Sequence, residues 1–243
     1  MKINNISIVI PILNEEKNLI KLIKEIKKVN KKTNLNKFEL ILVDDNSTDN
    51  SHKVLKQLKD KNNFLRYFIR KKKYRDLSQS CFVGFNKSLY ENIVVMDGDL
   101  QHPPRYLKKL LKLYFYNKAD IVIGSRNLLK KRGPGLSFLR HISSIFIIKI
   151  INFFLDNKTS DPLSGFFVFK RKLYKKNKKR LFGRGYKILA DLIYSTSKNL
   201  KILDCEIYFD SRKSGKSKMN LLVLFQLLIF IIKSFWLRWK IKV

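Results

Sequence analysis

Cysteine is nearly missing from this chain. The two present, Cys81 and Cys205, lie far apart with no CxxC pair and no Cys/His cluster, which excludes a structural zinc site and a disulfide framework. Acidic residues are scarce as well: nineteen Asp and Glu stand against fifty-two Lys and Arg, a formal net charge of +33 over 243 residues. With five prolines and nine glycines, the chain has no Gly-, Pro- or Ser-rich linker at which to divide, and it carries no internal repeat. A signal-peptide pattern is lacking too, because Ile6 to Ile12 is short and leads directly into Asn14-Glu15-Glu16; the cytosolic side is the expected compartment. Apolar content is ordinary at 45%, which excludes a disordered chain.

The positive charge favours anionic partners: nucleic acid, an acidic membrane surface or a phosphorylated substrate. Lys, Ile and Asn are abundant everywhere, so the charge marks general attraction and no particular face. Nucleic acid is not an expected partner. The basic residues are scattered without a stacking motif, and clustered carboxylates would repel a phosphodiester backbone.

Strand and helix signals alternate through the first half. Ile6 to Ile10 reads as a buried strand ending at Pro11, and Leu19, Leu22, Ile23, Ile26 and Val29 mark one face of a helix. Strands follow at Phe38 to Val43, Leu65 to Ile69, Ile93 to Met96 and Asp120 to Gly124. Between them lie helical patterns at Val54-Leu55-Leu58, at Cys81, Phe82, Phe85 and Leu89, and at Leu107 to Tyr114. The order predicts an α/β fold with a mainly parallel, doubly wound sheet whose ligands sit beyond the carboxyl ends of the strands. Farther on, the pattern predicts a helix over Leu136 to Leu155 with a polar stripe at Arg140, His141, Ser144 and Asn152. A turn at Ser160 to Phe166, holding the motif Asp161-Pro162-Leu163-Ser164-Gly165-Phe166, leads into a short strand at Phe167 to Phe169; a helix at Ile188 to Thr196 and a strand at Lys201 to Phe209 complete the order.

Chemistry concentrates at the strand ends. Asp97-Gly98-Asp99-Leu100-Gln101-His102-Pro103-Pro104 follows the apolar run Ile93 to Met96, and Pro104 suits the first turn of a helix. Two carboxylates one residue apart on a strand-to-helix turn attract a divalent cation, which can then hold an anionic substrate such as a diphosphate. The donors are hard oxygens, so magnesium or manganese is expected and His102 is read as a turn residue or a donor behind the ligands. Pro11-Ile12-Leu13-Asn14-Glu15 closes the first strand, with Asn14 expected to cap the next helix. Val43 to Asp49 packs three carboxylates into one turn, a repulsion that points to a hydrogen-bond-donating ligand such as a nucleobase or ribose. Gly124-Ser125-Arg126 ends a strand at the same edge, so Arg126 would face a diphosphate. The basic run Ser211 to Lys218 can bring cations to a phosphate presented at a membrane.

Taken in order along nearly all the chain, these motifs resemble the family-2 glycosyltransferases, and within them the dolichol-phosphate (polyprenol-phosphate) mannose synthases. The resemblance implies a GT-A type, Rossmann-like fold and an inverting, metal-dependent transfer of mannose from GDP-mannose to a polyprenyl phosphate. It implies that Pro11, Leu13, Glu15, Val43 and Asp45 bind the nucleotide, and that Asp97 and Gly98 lie against the sugar-nucleotide. Asp97 is then the candidate catalytic residue, in closest contact with the reacting sugar. Asp99 and Gln101 would hold Mg2+ or Mn2+ on the diphosphate, and Arg126, Arg212 and Lys218 would complete a phosphate clamp. Leu13 stands where the family usually has an aromatic side chain, Asp76 replaces a usual glycine, and Gly98 replaces a common alanine. The nearest alternative is the same chemistry with UDP-glucose or another sugar nucleotide.

From Met219 to Ile232 the chain is apolar except for Asn220 and Gln226. As a helix this run reaches about 21 Å, short of a hydrocarbon core of about 30 Å. With Trp236 and Trp239 among Arg238, Lys240 and Lys242, it reads as an amphipathic helix lying in a membrane interface, with a core helix as the alternative. The expected organisation is therefore a transferase domain over 1–218 and a C-terminal interface helix over 219–243, without a multi-span tail. The protein would sit on the cytoplasmic face of a membrane, directly or through a small membrane partner subunit.

Overall fold

The computed structural model describes residues 5–33, 37–72, 74–126, 138–154, 158–185, 187–196, 199–210 and 229. Its seven strands are β1 (Ile6–Ile12), β2 (Phe38–Asp44), β3 (Leu65–Ile69), β4 (Asn92–Val95), β5 (Ile121–Ser125), β6 (Phe167–Lys170) and β7 (Ile202–Glu206). The helices are α1 (Glu16–Thr33), α2 (Ser51–Asp60), α3 (Leu77–Lys87), α4 (Leu107–Tyr116), α5 (Phe138–Phe154), α6 (Arg171–Asn177) and α7 (Ile188–Ser195). The strands form one sheet in the order β3-β2-β1-β4-β6-β5-β7, in which β6 runs antiparallel to both neighbours and every other pairing is parallel.

Both faces of the sheet are covered, which is why its strands read as continuous apolar runs. Ile6, Ile8 and Ile10 pack with α1 and α4 through Leu19, Leu22, Leu107 and Leu111, whereas Val9, Ile93 and Phe169 pack with Cys81, Phe85 and α7 on the other side. Strand β1 runs through Pro11 to Ile12 and does not stop at the proline. Val9 accepts from Met96 and Ile12 from Asp45, so Pro11 shares the side of Val9 and faces β4. The β1–β4 ladder ends at the Val9–Val95 pair, and the missing proline N–H breaks no bond.

Two further expectations are corrected, and one helix was not expected from the sequence. Leu89 is not part of a helix face: α3 ends at Lys87, Leu89 is 62% exposed, and Glu39 accepts its N–H. Strand β7 is shorter than Lys201 to Phe209, and α6 gave no periodic signal because Lys and Asn fill most of its seven positions. The 218/219 division, the interface helix over 219–243 apart from residue 229, and the basic run with Arg212 and Lys218 lie outside the described residues. Of the polar stripe expected on α5, the side chain of Asn152 is described: it is buried and donates to the Thr159 carbonyl. Among the described residues no helix is long and apolar enough to cross a membrane.

The chain builds β1, β2 and β3 outward in one direction and then places β4 on the other side of β1. The direction of winding therefore reverses between β1 and β4, the position at which open α/β sheets bind ligands. Because β6 is antiparallel, the segment before it, Asp161 to Phe166, comes to the carboxyl edge of its neighbours.

Candidate active site

At the carboxyl edge the loops after β1 and β2 are laced together. Asn14, in left-handed backbone at φ 54°, accepts from Thr48 N at 2.8 Å and donates its own N–H to Ser47 Oγ at 2.7 Å. It does not cap α1 as expected. That role falls to the other loop: Glu15 N donates to Ser51 Oγ at 3.1 Å and Glu16 N to Asp49 Oδ2 at 3.2 Å. Glu15 is itself buried and accepts from Asn18 Nδ2 at 2.6 Å.

The three carboxylates of the second loop each have a local partner, so their proximity does not by itself demand a ligand. Asp44 accepts from Ser47 N at 2.7 Å and lies 3.0 Å from His52 Nε2. Asp45 accepts from Arg70 Nε at 2.7 Å and from the backbone N–H of Asp76. Asp49 is held below the usual carboxylate range, because hydrogen bonds from the Ser51 side chain and from backbone N–H groups outweigh the burial that pushes it up. Asp76 is extended at φ −157°, needs no glycine, and caps α3 by accepting from Gln79 N at 3.1 Å. Burial raises its carboxyl above the ordinary value.

The Asp97–Gln101 turn sits against the end of β1. A Cβ at Gly98 would lie 2.9 Å from Ile12 Cγ2 and 3.7 Å from Glu15 Cγ, so the second acidic motif packs directly on the first loop. Leu100 is buried in left-handed backbone at φ 63°, an uncommon state for leucine. The bend lets Asp99 Oδ1 accept from Gln101 N at 3.0 Å, while Gln101 O accepts from Asp210 N at 3.0 Å. Asp97 Oδ2 lies 2.9 Å from His102 Nδ1. Arg105 clasps Asp210 through two nitrogens at 3.1 and 3.0 Å and ties this turn to the segment after β7.

Arg126 stands at the same edge, as expected, with Nε donating to Asp161 Oδ2 at 2.6 Å and Nη2 to Asp161 Oδ1 at 2.7 Å. Its ring-facing side meets Phe209 at 5.5 Å. The acids converge on the start of α3 from three loops. Burial first, then the fields of Asp97, Asp76 and Asp45, push the Cys81 thiol well above its ordinary value, so it is no nucleophile. Pro11 and Val43 are buried near the ends of β1 and β2, and Leu13 is half-buried just after β1.

The sequence carries no pointer to Arg70 or His52 as partners, and it marks Asp161 only as part of the turn before β6, without its pairing to Arg126. His52 carried no usable signal; it is the second residue of α2, the helix after the acidic run. Arg70 carried none, since its charge is one of fifty-two.

The donor chemistry suits a hard divalent cation. Asp99 and Gln101 offer oxygen only, and no cluster of three or more His, Cys, Asp or Glu forms among the described residues. Magnesium and manganese in nucleotide sites take few protein ligands and complete their shell with water and phosphate oxygens, so a sparse set fits.

A family model described as glycosyl transferase family 2 matches residues 7–177. The chain is 31% identical over 237 residues to a dolichol-phosphate mannosyltransferase of Pyrococcus furiosus, covering 97% of this chain and 64% of that one. A dolichol-phosphate mannosyltransferase of Saccharomyces cerevisiae is 30% identical over 204 residues, covering 79% of this chain and 72% of its own. An undecaprenyl-phosphate 4-deoxy-4-formamido-L-arabinose transferase of Proteus mirabilis is 37% identical over 111 residues, 45% of this chain and 33% of that one. In fold the chain is similar to glucosyl-3-phosphoglycerate synthase of Mycobacterium tuberculosis, solved with Mn2+, UDP-glucose and phosphoglyceric acid, at a TM-score of 0.67 and 19% identity over 95% of this chain and 78% of that one.

Proposed function

The chain belongs to glycosyl transferase family 2, and on that premise we propose that it transfers mannose from GDP-mannose to a polyprenyl phosphate at the cytoplasmic face of a membrane, with inversion. The observation that carries this reading is the Asp97–Gln101 turn packed on the end of β1 at the winding reversal, in a chain similar to dolichol-phosphate mannosyltransferases over nearly all its length. The Proteus relative carries a different sugar and names the same class of acceptor, which supports a lipid phosphate more firmly than it supports mannose.

In this reading the wall formed by Pro11, Leu13, Glu15, Val43 and Asp45 receives the nucleotide, and Gly98 lets the turn close on it. Asp99 and Gln101 would hold the magnesium or manganese ion. When bound, that ion neutralises charge on the diphosphate that leaves. Asp97 lies against the sugar. The acceptor phosphate is already anionic at neutral pH, so no residue needs to remove a proton from it. The chain's work is alignment of the two reactants and electrostatic support of the leaving group. Arg126 keeps its charge there: burial alone would lower its basicity, yet Asp161 and then Asp97 hold it above the ordinary value. Arg212 and Lys218 complete the clamp in this proposal.

A membrane acceptor requires a membrane-facing surface. Phe146 and Phe153, 64% and 71% exposed on α5, make an outward apolar stripe with Lys149 between them, a pattern suited to an anionic bilayer. The test is incubation of the purified protein with manganese, polyprenyl phosphate and a panel of sugar nucleotides. Metal-dependent release of GDP from GDP-mannose, only with the lipid phosphate present, is the expected result. Consumption of UDP-glucose alone would overturn the donor, and equal transfer to free sugars would overturn the acceptor.

A further inference from the structure

His102 is 1% exposed, yet it carries two polar nitrogens into an apolar setting. Its ring packs edge-on against Phe209 at 4.9 Å and lies 5.9 Å from Phe166. Nδ1 is 2.9 Å from Asp97 Oδ2, and neither ring nitrogen makes an aligned hydrogen bond. Burying an imidazole without such bonds is unfavourable, so packing alone accounts poorly for a histidine here. Against the same carboxylate stands Gly165, where a Cβ would fall inside contact distance of the Asp97 carboxyl carbon and both of its oxygens.

We propose that His102 is a positioning residue for Asp97: its Nδ1–H holds one carboxylate oxygen while the bare backbone at Gly165 backs the group, so that Asp97 meets the sugar nucleotide in one orientation. This rests on the glycosyl-transfer reading above. The tautomer follows from the surroundings. A hydrogen on Nε2 would be buried with no acceptor and would turn the Nδ1 lone pair toward a carboxylate, whereas a hydrogen on Nδ1 lies beside that carboxylate, whose Oδ2 is 2.9 Å from the nitrogen. The off-line approach agrees with a contact that straightens when substrate arrives, as hydrogen bonds in active sites commonly do. Two separate elements build the holder, the turn after β4 and the segment before antiparallel β6. Neither is complete without the other.

The test uses the full chain and three variants. His102→Asn keeps an N–H donor near the place of Nδ1, His102→Phe keeps the aromatic packing and removes the donor, and Gly165→Ala drives a methyl group into the carboxylate. With whichever sugar nucleotide the wild type turns over, His102→Phe and Gly165→Ala should each lower kcat by about tenfold to a hundredfold, the loss expected for a displaced reacting group. His102→Asn should restore most of the lost kcat, and His102→Phe should add little to the defect of Asp97→Asn. Full activity in His102→Phe, or losses that multiply with Asp97→Asn, would overturn the proposal. A second readout needs no substrate and so separates this proposal from the choice of donor. Nitrogen-15 shifts of the His102 ring should show the proton on Nδ1 and should move in Asp97→Asn; a proton on Nε2 sinks the idea.

Discussion

Asp161, with no exposed surface, grips Arg126 through both carboxylate oxygens, and the Arg126 backbone N–H donates to the same group at 3.1 Å. The pair joins the end of β5 to the segment before β6 and fixes a cation at the carboxyl edge. Removing one member strands the other. Asp161→Ala should therefore destabilise the fold by about 3–5 kcal/mol, the usual cost of breaking a buried ion pair. The double replacement Arg126→Met with Asp161→Leu should recover most of that loss in urea unfolding while abolishing transfer. A loss under about 1 kcal/mol for Asp161→Ala would mean that solvent reaches the pair and that it behaves as a surface bridge.

How much of this was legible differs from element to element. The strands β1, β2, β4 and β5 announce themselves because burial on both faces leaves no polar position between Ile8 and Ile12, and the helices α1 and α4 show a spaced apolar face. The direction of β6 was not legible, since Phe167 to Lys170 reads the same whether it pairs parallel or antiparallel. That direction decides where Asp161 and Gly165 go. Asn14 misled for a related reason: Asn before a helix is a good cap, but Ser47, Asp49 and Ser51 reach across from another loop and take the job. Composition hid Arg70, because one useful arginine looks like any other in so basic a chain.

Asp99 should govern the need for metal. Chelation of the purified protein with EDTA is expected to stop transfer, and manganese to restore it. Asp99→Asn should lower kcat by on the order of a hundredfold, as loss of a charge-stabilising group does, and should raise the manganese concentration needed for half activity. If Asp99→Asn turned over normally at low manganese, Asp99 would not be a ligand and the oxygen site would have to lie elsewhere.

The α5 stripe offers a prediction about binding that is separate from catalysis. Phe146→Ser with Phe153→Ser should weaken sedimentation with anionic vesicles by at least about tenfold, since each phenylalanine transferred from water contributes roughly 1.5–3 kcal/mol. Both side chains are mostly exposed, so the unfolding midpoint should hardly move. Unchanged vesicle binding would assign the membrane contact to another part of the chain.

Lys187 gives the fold a pH dependence whose sign can be worked out. The residue is 3% exposed, and its amine lies 4.1 Å from the centre of the Phe182 ring and is pulled from 10.5 down to about 8, chiefly by burial, with Asp191 and Asp76 opposing the drop. Between about pH 8 and 10.5 the unfolded chain carries this proton and the folded chain does not, so stability contributed by Lys187 rises with pH across that window. Below pH 8 both states are protonated and the folded state bears the full cost of a buried cation. At about 1.4 kcal/mol per unit, the gain across the window is at most about 3.5 kcal/mol. Urea unfolding at pH 7.5 and pH 9.5 should show the rise in the wild type beyond that in Lys187→Met, where this contribution is absent. Parallel pH profiles for the two proteins would mean that the amine reaches water and titrates as an ordinary lysine.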